Sequence, residues 1–388
     1  MKILYDHQIF EFQIFGGISR YFDDLISFFS NCTDITPILS LKYTNNHYIK
    51  INNASYRTKK LTNFDNFICS KNFKGKWFLY NFFKNTNLIK DHYSENQKNT
   101  IKLIEKADFD IFHPTYFNDY FLSHLNKKPF VITIYDMIYE LYPEYFADNK
   151  KVIEQKKKLI EKASAVIAIS ENTRQDILKI YGKNYENKVK VVYLSHSSNF
   201  LNYKELNHKL PDKYILFVGV RNNYKNFINF IKAMSEIIKI DKELKIICTG
   251  GGKFTKDELA LFNELNLSSS IFQYSVNDNI LYHFYNKATA FVFPSLYEGF
   301  GIPVLEAFAA GCPAILSNSS SLPEVGGDAA EYFDPASVSS IKESIKKVIY
   351  NDTIKNKLKN DGFERLKQFT LTQTALGTKK IYESIIKS

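Results

Sequence analysis

Cysteine is scarce in this chain: four residues in 388, at Cys32, Cys69, Cys248 and Cys312. They form no C-x-x-C pair and no Cys/His cluster, which argues against a structural zinc site and excludes a disulfide scaffold as the main architecture. Arginine is scarce too. Only Arg20, Arg57, Arg174, Arg221 and Arg365 stand among the 51 basic residues, so a typical lysine says little and an arginine is informative. No uncharged apolar run approaches the ~18 residues that span a bilayer. The start, Met1-Lys2-Ile3-Leu4-Tyr5-Asp6, turns acidic too early for a signal peptide. A soluble, cytoplasmic protein is the expectation. Also missing is a Walker loop, G-x-x-x-x-G-K-[ST], and Gly250-Gly251-Gly252 does not fit G-x-G-x-x-G. Both absences count against an ATPase and a dinucleotide-dependent dehydrogenase.

What is present reads as an ordinary globular chain, 45% hydrophobic and 24% charged, long enough to predict two domains. The net charge of +10 is unevenly spread. Residues 57–90 alone hold eight basic residues against Asp65, and interleave Lys59, Lys60, Lys71, Lys74, Lys76 and Lys84 with Phe64, Phe67, Phe73, Trp77, Phe78, Phe82 and Phe83. Basic residues beside aromatics suit an anionic membrane surface, and they would also suit single-stranded nucleic acid. The same pattern describes an amphipathic helix whose rings pack inward and whose lysines are merely solvated.

Short β-rich runs occur at Lys2–Tyr5, Phe130–Tyr135, Ala165–Ile169, Val189–Leu194, Tyr214–Val218, Leu244–Thr249, Ile271–Tyr274, Ala290–Pro294 and Ala314–Ser317. Helical stretches alternate with them, such as Asn226–Ile240, apolar at Phe227, Phe230, Ile231, Met234, Ile237 and Ile238. That alternation predicts α/β architecture with doubly wound parallel sheets. There are too many strands for one such sheet, and the polar, strandless stretch 201–212 is the expected linker. Two α/β domains would then face each other, with ligand in the cleft at the carboxyl ends of their strands.

The strongest chemical signal follows the run Ala290–Pro294, in SLYEGFGIPVLEAFAAGCPAILS. Gly299 and Gly301 let backbone approach a ligand, Pro303 suits the first turn of a helix, and Gly311 its end. Glu306 is expected in that first turn and Glu298 in the loop before it. Both carboxylates could reach the cleft while the helix N-terminus offers N–H groups to an anion. Acidic residues near a helix start also serve as simple caps, and two glutamates could form a glycosidase pair. A second element runs Gly219-Val220-Arg221-Asn222-Asn223-Tyr224-Lys225-Asn226, where Arg221 and Lys225 are expected to clamp a diphosphate without magnesium.

With these motifs in hand, the chain resembles retaining GT-B glycosyltransferases of family 4, in the subgroup typified by bacterial O-antigen mannosyltransferases. The resemblance covers GGISRYF (16–22), FHPTYF (112–117), VITIYDMIYELYPEYF (131–146), AVIAISENTRQDI (165–177), FVGVRNNYKNF (217–227) and FPSLYEGFGIPVLEAFAAGCPAILSNSSSLPEVGGDAA (293–330). It implies a GT-B fold of two Rossmann-like domains: residues 1–203 for the acceptor, residues 204–367 for the nucleotide-sugar, and a C-terminal helix at about 368–388 packing back on the first.

The resemblance assigns Arg221 and Lys225 to the diphosphate and Glu306 to the ribose hydroxyls. Glu298 is assigned to the transferred sugar, with Gly299, Phe300 and Gly301 beside it, and Gly16 and Gly17 to a loop closing over the donor phosphates. Asp136 belongs to the same implied catalytic set. Where many relatives carry His before that aspartate, this chain has Tyr135, so Tyr135 or His113 would supply that contact near the acceptor; His113 would equally serve as a structural residue.

The implied reaction is sugar transfer with retained anomeric configuration, without metal or cofactor. GDP-mannose is the implied donor and a growing, lipid-linked glycan the acceptor, with peripheral membrane contact and no nucleic-acid partner. A UDP- or dTDP-sugar donor is the alternative. Asp108 and Asp110 have the D-x-D form of metal-dependent transferases but precede a strand start, which favours a turn. A glycoside hydrolase would use the two glutamates but has no need of Arg221 and Lys225, and a non-catalytic basic binding protein would leave the glutamate loop without purpose.

Overall fold

In the strands Val131–Ile134, Ala165–Ala168, Ala290–Phe293 and Ala314–Ser317 every residue is buried. Strands apolar on both faces belong in parallel sheets covered on both sides by helices. The computed structural model describes residues 1–49, 58–60, 76–77, 79, 92–146, 149–196, 210–221 and 223–387. Its strands are β1 (Lys2–Tyr5), β2 (Thr36–Leu39), β3 (Tyr43–Thr44), β4 (Lys59–Lys60), β5 (Ile111–His113), β6 (Val131–Ile134), β7 (Ala165–Ala168), β8 (Val189–Val191), β9 (Tyr214–Val218), β10 (Lys245–Thr249), β11 (Ile271–Tyr274), β12 (Ala290–Phe293), β13 (Ala314–Ser317) and β14 (Ala330–Phe333).

Two parallel sheets result. The first has the order β2-β1-β5 followed by β6-β7-β8, the two trios joined by a single parallel bridge between Phe112 and Phe130. The second runs continuously as β11-β10-β9-β12-β13-β14. The chain winds outward from β9 in one direction and returns to start again at β12, so the order reverses between these neighbours. Loops leaving β9 and β12 at that reversal frame a crevice, the usual seat of a ligand in such sheets. This is the expected architecture of two facing Rossmann-like units.

The sequence reading misses β2, β5 and β14, and the small β3–β4 pair. β2 and β14 are edge strands, and Pro37 is tolerated in β2 because the edge leaves its missing N–H unneeded. The helix Phe227–Ile240 buries the expected apolar face, with Asn226 as its N-cap. The domain boundary expected at 203/204 lies outside the described residues. So does most of the basic-aromatic segment 57–90; within it Lys76 is buried, which removes it from any lipid-facing set, while Trp77 is 69% exposed.

The helix Leu371–Lys387 packs on the helix Gly17–Ser30 and on β7. Its Tyr382 hydroxyl lies 3.0 Å from the Tyr5 hydroxyl and 2.6 Å from His113 Nδ1, and Thr374 donates to the Tyr193 carbonyl. No helix among the described residues is long and apolar enough to cross a membrane.

Candidate functional site

A cavity of about 610 Å³ lies between the two sheets, within the range of small-molecule sites. From the first sheet's side it is lined by Gly16, Gly17, Ile18, Arg20, Tyr48, Tyr135 and Asp136. From the second come Val220, Lys225, Gly250, Gly251, Glu298, Gly299, Phe300, Gly301 and Glu306. Of the residues expected at the site, the structure brings together the two glycine pairs, both glutamates, Lys225, Phe300, Tyr135 and Asp136.

The loop after β12 carries the glutamate signature, and hydroxyls hold it residue by residue. Ser321 Oγ donates to the carbonyls of Glu298 and Phe300, both at 2.9 Å, and Glu298 N donates to Ser320 Oγ. From the opposite unit Ser170 Oγ donates to the Gly299 carbonyl at 2.7 Å, and Thr173 does so at 3.2 Å. Gly299 is obligatory for this approach, since a Cβ there would fall 1.7 Å from the Tyr135 carbonyl oxygen. Gly301, at φ 108°, is the N-cap of the helix Ile302–Ala309, a conformation that costs glycine little. With the cap at Gly301, Glu306 is the fifth helical residue and stands in the second turn, one turn later than expected from the position of Pro303.

Each glutamate holds one cation. Lys225 Nζ sits 2.5 Å from Glu298 Oε1 and over the Phe293 and Tyr224 rings. Arg20 Nη1 sits 3.2 Å from Glu306 Oε1, with Nη2 donating to the Tyr48 hydroxyl. Tyr285 donates to the other Glu306 oxygen at 3.3 Å. Burial, and then the charge of Glu306, push the Tyr285 phenol far above its ordinary pKa, so it remains a neutral donor.

Arg221 is placed elsewhere. Val220, Lys225, Gly250 and Gly251 line the cavity and Arg221 does not, and the two cations have different carboxylate partners, Glu258 for Arg221 and Glu298 for Lys225. The Arg221 guanidinium is 2.6 Å from Glu258 Oε1 and donates to the carbonyls of Gly250, Gly252 and Lys253. Gly250, Gly251 and Gly252 all have φ between 68° and 82°, so the glycine run, which is no phosphate loop by motif, is a left-handed wrap around this arginine. Glu258 also accepts from Thr255 N as part of a helix capping box.

His113 is not at the cavity. Its ring bridges Tyr382 and Thr133 Oγ1 (2.9 Å) in the core, and burial holds its pKa down at about 3. Tyr135 lines the cavity, but its hydroxyl donates to the Thr115 carbonyl and its ring packs beside Tyr116 and Phe117. Asp136 caps the next turn through Ile138 N, and the buried Lys156 Nζ donates to its carbonyl. Asp108 and Asp110 both engage Lys2, at the strand ends remote from the cleft. Among the described residues no group of three or more His, Cys, Asp or Glu side chains is placed to hold a metal.

Sequence reasoning missed Arg20, Tyr48, Ser170, Thr173, Tyr285 and the serine run 319–321 as site residues. Arg20 carried a signal: it is one of five arginines, four positions after Gly16. The two units also meet through Tyr297, whose hydroxyl accepts from Met137 N and donates to Asp176, and through Glu324, whose carboxylate accepts from Glu171 N and Asn172 N. That last contact sets a negative charge on the N-terminus of the helix Glu171–Tyr181.

Two Rossmann-like units around a glutamate-lined cleft define the GT-B class of glycosyltransferases. Two family models match consecutive stretches, "Glycosyltransferase Family 4" over residues 80–195 and "Glycosyl transferases group 1" over residues 198–365. The chain belongs to glycosyltransferase family 4 and is a glycosyltransferase with a nucleotide-sugar as its class of donor. It is 26% identical over 281 residues to O-antigen chain mannosyltransferase B of Escherichia coli, covering 68% of this chain and 72% of that protein. It is 31% identical over 219 residues to O-antigen chain mannosyltransferase RfbU of Salmonella typhimurium, covering 56% of this chain and 60% of that protein. In fold it is similar to sucrose-phosphate synthase from Thermosynechococcus elongatus, with TM-score 0.75 at 18% identity over 100% of this chain and 99% of that one. It is also similar to Anabaena HepE in complex with UDP and glucose, with TM-score 0.71 at 15% identity over 99% and 100%.

Proposed function

We propose that the chain is a retaining hexosyltransferase that moves mannose from GDP-mannose onto a growing, lipid-linked surface polysaccharide at the cytoplasmic face of a membrane. The observation that carries the reading is the placement of Glu298, Lys225 and Glu306 in one cavity, opposite Gly16, Gly17 and Asp136. In this reading Glu306 takes the ribose hydroxyls, and Lys225 offsets charge developing on the departing diphosphate. Glu298 and the backbone of Gly299–Gly301 hold the sugar. The acceptor hydroxyl attacks from the face that the leaving group vacates, which retains the anomeric configuration, with Asp136 on the acceptor side. Arg221 acts from behind, fixing the glycine loop at the cavity wall. Close packing of the two units would keep water from hydrolysing the donor. Mannose and the glycan acceptor rest on the names of the relatives, and the membrane rests on the charge and aromatics of residues 57–90.

Incubation with GDP-mannose, UDP-glucose and dTDP-glucose, each with a lipid-linked glycan acceptor in anionic vesicles, tests the reading. We expect transfer from GDP-mannose, with an α-linked product, that weakens as salt screens the membrane contact. Transfer from a UDP- or dTDP-sugar alone would replace the donor. A salt-independent reaction would remove the membrane contact.

A further inference from the structure

Among the described residues two cations line the cavity, Lys225 and Arg20, and only Lys225 was foreseen there. Arg20 comes from the opposite unit. It stands in the first turn of the helix Gly17–Ser30, whose N-terminus opens on the cavity through Gly16 and Gly17. A Cβ on Gly17 would meet Ile302 Cδ1 at 2.7 Å, so this helix start abuts the start of the helix carrying Glu306. Arg20 and Glu306 are a buried pair, with side chains 12% and 8% exposed. Removing the partner from such a pair leaves a costly buried charge, whereas giving both members new partners does not.

We propose that Arg20 is a second donor-binding cation, and that its pairing with Glu306 is exchanged on donor binding: the ribose hydroxyls take Glu306 while Arg20 passes to the diphosphate. This rests on the nucleotide-sugar reading above. A nucleoside alone takes up Glu306 and leaves Arg20, which keeps Tyr48 and the nearby Asp24, without its cavity-side carboxylate. A nucleoside diphosphate serves both. The exchange makes the site select for the phosphate-bearing ligand and lets the unit carrying Arg20 register that the donor is complete. Arg221, turned away by its glycine wrap, leaves this role to the arginine on the facing helix.

Calorimetric titration of the full chain with the pairs GDP/guanosine, UDP/uridine and dTDP/thymidine tests the exchange. The wild type should bind the diphosphate of one pair well and its nucleoside poorly. Arg20→Met should weaken the diphosphate by about tenfold or more, the scale of one charge-assisted hydrogen bond, and leave the nucleoside unchanged or tighter, because Glu306 is released. Arg20→Lys, which keeps the charge, should recover part of the diphosphate affinity and shows that the loss is not misfolding. Equal loss for both ligands in Arg20→Met would overturn the exchange and make Arg20 a support for Glu306. No loss for either would remove Arg20 from the donor site. A wild type that binds no member of any of the three pairs would sink the nucleotide-sugar reading and this proposal together.

Discussion

The two sheets are made of similar strands, yet they are closed in different ways. The second is continuous over six strands and has an apolar cluster of its own, from Ile215 and Phe217 through Phe230, Met234 and Ile246 to Ile345 and Val348. The first is two trios joined at one bridge, and polar side chains run through its core: His113, Thr133, Tyr5, Tyr382, Thr100 and Ser40 are all buried. The continuous sheet supplies its site residues from the segments that follow β9, β10 and β12, around the point where strand order reverses. The divided sheet supplies Gly16, Arg20, Tyr48 and Asp136 from separate places along the chain. One unit lines the cavity from neighbouring strand ends of a single sheet; the other lines it from scattered positions.

The contact at Gly299 is where breaking this arrangement should cost most. Gly299→Ala places a methyl against a backbone carbonyl of the other unit, and one of the two must move. Because the displaced loop carries Glu298, turnover should fall by about 10²-fold, the scale of a misplacement near 1 Å. Nucleoside diphosphate affinity, which the proposed roles give to Glu306, Lys225 and Arg20, should change little. Gly252→Ala is the contrast, since no atom lies within 4 Å of its Cβ. It should cost about 1–2 kcal/mol of stability for its left-handed backbone and leave turnover within a few-fold. Steady-state kinetics and denaturant unfolding on both variants decide, and equal turnover would remove the steric role of Gly299.

A smaller difference separates the two cations first grouped as a clamp. Lys225→Ala should lower turnover by about 10²-fold, as loss of a leaving-group stabiliser. Arg221→Ala should lower it less, about tenfold, acting through the glycine loop, and should cost stability because Glu258 and the loop carbonyls lose their donor. Equal losses of turnover, with stability unchanged in Arg221→Ala, would return Arg221 to the phosphate.

The smallest effect is on the pH dependence of the divided sheet. His113 is held neutral when folded, with its pKa near 3, and regains an ordinary value near 6.5 when unfolded. Below pH 6.5 the unfolded chain takes a proton that the folded chain refuses, so the contribution is intact above pH 6.5 and is lost as pH falls towards 3. Between pH 6.5 and 5 the loss is about 2 kcal/mol. His113→Gln should be less stable at pH 7.5 yet flatter in stability down to pH 5, measured by urea unfolding. A variant with the wild-type slope would show that other groups set it.

Much of this was legible in the sequence, and for a physical reason. The glutamate loop, its glycines and Lys225 are local: strand, loop and helix follow one another, and each residue's chemistry is read beside its neighbours. Long buried strands such as VITI and AVIA declare themselves by composition, while β5, with three residues, and the edge strand β2, with its proline, do not. The site's missing members are long-range. Arg20 meets Glu306 across 286 positions and Ser170 meets Gly299 across 129, distances over which spacing carries no information. Residue type alone suggested a clamp for Arg221, whereas its partners in the folded chain, Glu258 and the carbonyls of three left-handed glycines, lie 29 to 37 positions away.

The closing helix Leu371–Lys387 has a consequence for the order in which the chain can be completed. Tyr5 finds its hydroxyl partner on Tyr382, 377 positions later, and His113 waits for the same residue. Emerging from the ribosome, the unit made first therefore has an open flank, with a tyrosine and a histidine lacking their eventual partner. All six strands of the other sheet, within residues 214–333, are made before that partner appears. Domains fold as units during synthesis when their parts are present. The half that is synthesised second can thus close its core first, and the half that begins the chain is sealed last.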